Sequence, residues 1–99
     1  MGSGVSRVKT GSLIGTGASL DVETVGFKPS ALMLINGDSD DKLTWSETMA
    51  DASGHKQLKA GGSSFITSGG ITPLSDGFTL GADTDINVDG ELVHWIAFE

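Results

Sequence analysis

The run from Glu91 to Phe98 (ELVHWIAF) constrains this chain more than any other stretch. Both of its alternating sets are mainly apolar: Leu92, His94, Ile96 and Phe98 on one side, Val93, Trp95 and Ala97 on the other. A strand of that kind is expected to be covered on both faces, and with the sequence closing at Glu99 it is expected inside a sheet. A second continuous apolar run, Ala31 to Ile35 (ALMLI), has strand length and is its natural neighbour, buried on both faces beside it.

Punctuation supplies the rest of the outline. Pro29 in Gly26-Phe27-Lys28-Pro29 forces a corner before ALMLI, and Asn36-Gly37-Asp38 supplies a tight turn after it. Leu20 to Val25 and Lys42 to Met49 alternate as strands, the latter with Leu43, Trp45 and Met49 on one face. Ala50 to Gly62 reads as a loop with a short strand at Lys56 to Lys59 or a single helical turn. Phe65, Ile66 and Ile71 read as one or two short strands broken at Gly69-Gly70, and Phe78 with Leu80 as another strand. Fifteen glycines against two prolines, with no helical periodicity, favour tight turns over helices. The expected fold is all-β: an antiparallel β-sandwich or jelly-roll-like barrel with seven to eight short strands. Residues 1–12 are expected to form a flexible N-terminal arm or edge strand, and residues 13–99 a single β-sandwich domain.

Charge narrows the partners. Thirteen acidic residues against six basic ones give a net charge of −7, and the cations are scattered, so a nucleic-acid partner is not expected. No run reaches transmembrane length, so no membrane partner is expected either. The absence of cysteine leaves no disulfide framework and no thiolate metal site. Residues 1–12 lack the apolar core of a signal peptide, although MGSG reads equally as a cloning remnant.

Candidate chemistry is sparse. Asp83, Asp85, Asn87 and Asp89 place oxygens at alternate positions, as the first half of an EF-hand loop does. The pattern then departs from that motif: Val88 stands where glycine is needed and His94 where a bidentate glutamate is needed. Turn hydrogen bonding, in a hairpin loop closed by Asp89-Gly90, is the expected role, with Ca²⁺ binding the alternative. His55 and His94 show no nucleophile-base spacing, and no phosphate-binding or zinc motif is present, so no cofactor and no enzymatic activity are expected. Arg7 and Lys9 on the arm, and Trp45 and Trp95 on strands, are the candidates for contact with a partner or a second subunit. On that reading a charge at Trp95 breaks assembly before it breaks folding.

Two segments together carry a resemblance. VGFKPSALMLIN (25–36) and SDGFTLGADTDINVDGELVHWIAFE (75–99) resemble a small β-domain of tailed-bacteriophage virion structural proteins. Gly26, Phe27, Pro29, Gly77, Phe78, Asn87, Gly90, Ala97 and Phe98 fit its pattern, while Val93-His94-Trp95 replaces an aromatic usual there. The resemblance implies a structural virion protein, made in the host cytoplasm. It implies above all a capsid decoration (cement) protein on the capsid exterior, bound to the major capsid protein as a homotrimer. The alternative it implies is a tail-fibre or receptor-binding domain that contacts host surface glycans through exposed Trp45 or Trp95.

Overall fold

A computed structural model describes residues 7–99. It contains eight strands: β1 (Val8–Ile14), β2 (Leu20–Val22), β3 (Ala31–Asn36), β4 (Lys42–Ser46), β5 (Ser53–Gln57), β6 (Ser63–Leu74), β7 (Gly77–Leu80) and β8 (Leu92–Phe98). All pair antiparallel in one sheet of order β1-β8-β3-β4-β5-β6-β7-β2. β3 and β8 lie side by side as their apolar runs predict, with Leu34 opposite Trp95.

The sheet rolls up. β7 and β8 are separated in the strand order by β3, β4, β5 and β6, yet Phe78 of β7 meets the indole of Trp95 on β8 edge-on, with ring centroids 5.7 Å apart. The result is a nearly closed barrel rather than two facing sheets, its seam lying between β1 and β2. Leu32, Leu34, Leu43, Trp45, Ile71, Phe78, Leu80, Val93, Trp95 and Ala97 fill the interior. On the wall Trp95 needs room, and Gly11 opposite it on β1 provides this, since a Cβ there would run into the indole.

Each end is closed by a loop. At one end the Gly26-Phe27-Lys28-Pro29 corner tucks Val25, Phe27 and Pro29 inward. Gly26 takes φ +88°, a left-handed conformation that favours glycine, and donates its N–H to the Asp76 carbonyl at 3.1 Å. At the other end residues 81–91 cross from β7 to β8 and drive Ile86 into the core, fully buried.

Several expectations are corrected. β3 and β8 are covered on one face only, because among the described residues nothing lies over the outer wall of this barrel: Met33 is 37% exposed, Leu92 37% and Phe98 39%. The segment 81–91 is not a hairpin loop, since β7 pairs with β6 and β2 while β8 pairs with β1 and β3. Lys42–Met49 stops being a strand at Ser46, where a turn (Met49 N–H to Ser46 carbonyl, 2.9 Å) folds Met49 onto the core. The strand begun at Leu20 likewise ends at Val22, and β5 begins at Ser53 instead of Lys56. Gly69-Gly70 bends β6 without breaking it: pairing with β5 jumps from Ile66 to Ile71, while Gly69 adopts φ +76°. Of the arm or edge strand expected over residues 1–12, residues 8–12 form an edge strand as part of β1, so that only the boundary after residue 12 is misplaced; residues 1–6 lie outside the described residues.

Candidate interaction face

The acidic loop is the natural first place to look for chemistry, and its oxygens are already engaged. The Asp83 carboxylate accepts the backbone N–H groups of Asp85 (3.1 Å) and Ile86 (3.2 Å) through Oδ2, and Asn87 N–H closes the turn on the Asp83 carbonyl at 2.9 Å. Lys56 reaches across from β5 to bind Asp83 at 2.9 Å and Asp85 at 2.7 Å. Asn87 is buried; its Oδ1 accepts the N–H groups of Thr16 (2.8 Å) and Gly17 (3.3 Å), and its Nδ2 donates to the carbonyls of Ala18 (2.7 Å) and Gly81 (2.9 Å). Asn36 secures the same loop from β3, donating to the Ile86 carbonyl at 3.1 Å and to the Glu91 carboxylate at 3.0 Å. Asp89 stands apart, exposed.

Three of the four oxygen-bearing side chains that read as a cation site thus form a plug: Asp83 folds the turn, Asp83 and Asp85 together hold a lysine, and Asn87 pins neighbouring loops. Among the described residues no group of three or more acidic, histidine or cysteine side chains is arranged to hold a metal ion. Thermal unfolding in EDTA and in millimolar Ca²⁺ is expected to give superimposable curves. Hydrogen bonding to Asp85, reinforced by Asp83, raises the Lys56 ammonium above its ordinary pKa of 10.5. Its contribution to stability is therefore complete below that value and is lost as pH rises through the raised one. Lys56→Met leaves Asp83, whose side chain is only 8% exposed, without its counter-ion. That variant is expected to lose about 2–3 kcal/mol in urea denaturation at neutral pH.

The other named candidates are also accounted for. Arg7 grips Glu99 (Nη2 to Oε2, 2.6 Å; Nε to Oε1, 3.0 Å) and lies over the Phe27 ring at 5.1 Å, so its guanidinium serves the fold of its own chain. The hydrogen bonds from Arg7 hold the Glu99 carboxyl below its ordinary 4.5, and this exposed clasp loosens as pH falls through that lowered value. Lys9 is exposed on β1 opposite Ala97. Trp45 and Trp95 are 1% and 3% exposed, which removes both from any contact surface; Trp45 donates to the Ala50 carbonyl at 3.3 Å. A cleft of about 460 Å³ between the β3–β4 and β5–β6 turns is lined by Ile35, Asp40, Lys42, Gln57, Leu58 and Lys59. It brings together one carboxylate and two lysines, with no nucleophile beside a base.

The feature that sequence reading missed is the outer wall of the barrel. Cross-strand registers place its side chains in rows. One row runs Val8, Phe98, Ala31, Ser46; the next Thr10, Ile96, Met33, Thr44, His55, Phe65; the next Ser12, His94, Ile35, Lys42, Gln57, Ser63; and Ile14 with Leu92 ends the face. Lys42 is the one residue in these rows with a formal charge, and not one is acidic. Of the thirteen acidic residues only Asp21, on β2, lies within a strand; the others sit in the loops and at the chain's end. Negative charge thus rings the two ends of the barrel, and between them lies an acid-free wall of mixed apolar and polar side chains whose one formal charge is Lys42. Phe65, 69% exposed, tilts against His55 with ring centroids 4.8 Å apart and forms the far margin. The signal lies in the strands' second apolar sets: periodicity marks them as needing cover, from the fold or from a neighbouring subunit, and the rolled sheet leaves Leu92, His94 and Ile96 on the outside. No family model, curated protein or solved structure matches this chain.

Proposed function

We propose that this chain is a structural protein of a tailed-bacteriophage particle: a capsid decoration protein that docks on the major capsid protein from outside and works without catalysis. The observation that carries the reading is the acid-free outer wall on a chain of net charge −7. Several large apolar side chains exposed on one acid-free face, Val8, Ile14, Met33, Leu92 and Phe98 among them, mark a contact site on a small domain. The acidic ends keep the free protein dispersed, and they orient docking by repelling any approach except wall-first. A barrel closed at both ends by loops tied into the fold gives a rigid module suited to bracing a shell. The sequence resemblance supplies the shell as partner.

The tail-fibre reading required an exposed indole to stack on a sugar ring, and both indoles are interior. Co-sedimentation with expanded phage heads tests the proposal. The wild-type chain is expected to pellet with heads, and Ile96→Asp, a charge in the middle of the wall, to bind at least about tenfold more weakly. Failure of the wild type to pellet, or full binding by the variant, overturns the reading.

A further inference from the structure

We infer that two copies of this chain join through β1, edge to edge, about a twofold axis at Gly11. This inference does not depend on the capsid reading. Among the described residues β1 pairs only with β8 and so forms one margin of the sheet. The phase of that pairing is fixed by Glu99 N–H to Arg7 carbonyl (2.9 Å) before it and Gly15 N–H to Glu91 carbonyl (2.8 Å) after it. Antiparallel alternation then turns the backbone groups of Lys9, Gly11 and Leu13 toward β8. Those of Val8, Thr10, Ser12 and Ile14 point out of the sheet, and none of them takes part in the hydrogen bonds that tie loops and turns together among the described residues. A full-length strand edge of this kind is a template for another strand.

One self-pairing satisfies all of these groups. Antiparallel pairing centred on Gly11 sets Val8 against Ile14 of the second copy and Thr10 against its Ser12, and the same pairs recur by symmetry. Val8 and Ile14 are, at 58% and 56%, the most exposed large apolar side chains on β1, β3 and β8, and this register buries each against the other. Gly11 meets its own copy at the close-approach position, where it has no side chain to clash. Lys9 falls opposite Leu13 of the second copy, so like charges are not placed face to face. The outer walls of both copies merge into one acid-free surface on the same side, which doubles the area available to a partner.

Sedimentation velocity and native mass measurement over a concentration series test this. The wild type is expected to show a dimer. Thr10→Pro removes one outward N–H while sparing every bond to β8, and is expected to leave a folded monomer with its melting transition largely kept. Should that proline unfold the chain, Val8→Lys combined with Ile14→Lys, both at exposed sites, sets lysine against lysine and is expected to abolish the dimer in low salt. A monomeric or trimeric wild type, or a dimer that survives the folded variants, overturns the inference. Head binding by the monomeric variant is read separately, so the fate of the dimer and that of the capsid proposal remain distinguishable.

Discussion

Asn87→Ala is expected to lower stability by roughly 3–5 kcal/mol, a large share of the roughly 5–15 kcal/mol that holds a domain of this size. The asparagine side chain gives both its amide hydrogens and takes two backbone N–H groups, joining the β1–β2 connection to the β7–β8 loop. Alanine strands two donors and two carbonyls at a position only 1% exposed, and each unsatisfied buried group costs about 1–3 kcal/mol, tempered where water enters. Asn87→Asp separates shape from chemistry. It keeps an acceptor for Thr16 and Gly17 but turns a carboxylate oxygen toward the carbonyls of Ala18 and Gly81, so it is expected to be no milder. Urea denaturation reads both, and a loss under about 1 kcal/mol for either contradicts the plug as described.

Trp95 is expected to behave as core. Truncation to alanine removes the ring that meets Phe78 across the barrel and packs under Gly11, at a cost of about 3–5 kcal/mol. Trp95→Phe is expected to cost only about 1–2 kcal/mol, because the indole N–H is buried without a hydrogen-bond partner and phenylalanine removes that unmet donor while keeping most of the ring. A charged residue there is expected to unfold the chain rather than release a folded monomer, the reverse of what an interface position predicts. A folded, assembly-deficient Trp95→Glu protein would show that the indole faces a partner after all.

Local chemistry was legible and long-range chemistry was not. Gly26-Phe27-Lys28-Pro29 and Asn36-Gly37 announce their turns, because glycine and proline restrict the backbone wherever they stand. The adjacency of β3 and β8 follows from two continuous apolar runs seeking the same interior. Their outer faces misled, since periodicity reports that a side chain is apolar without reporting what covers it. Asn87 and Asp83 read as turn residues, which they are. Their partners, Thr16, Ala18 and Lys56, lie far away in sequence, and only the rolled sheet brings them near. The acidic clusters at 38–41 and 83–91 are visible in the linear sequence, but only the rolled sheet shows that they share one end of the barrel.

On the capsid reading proposed above, the outer wall, and not the acidic ends, makes contact with a partner. Hydroxyl-radical footprinting of the chain, free and bound to heads, tests it on side chains that are exposed and reactive. Oxidation of Met33, His94 and Phe98 is expected to fall sharply on binding while that of half-buried Met49, beside the corner at one end of the barrel, stays unchanged. Unchanged oxidation at Met33 and Phe98 in the bound protein, with protection confined to the end loops, would contradict it.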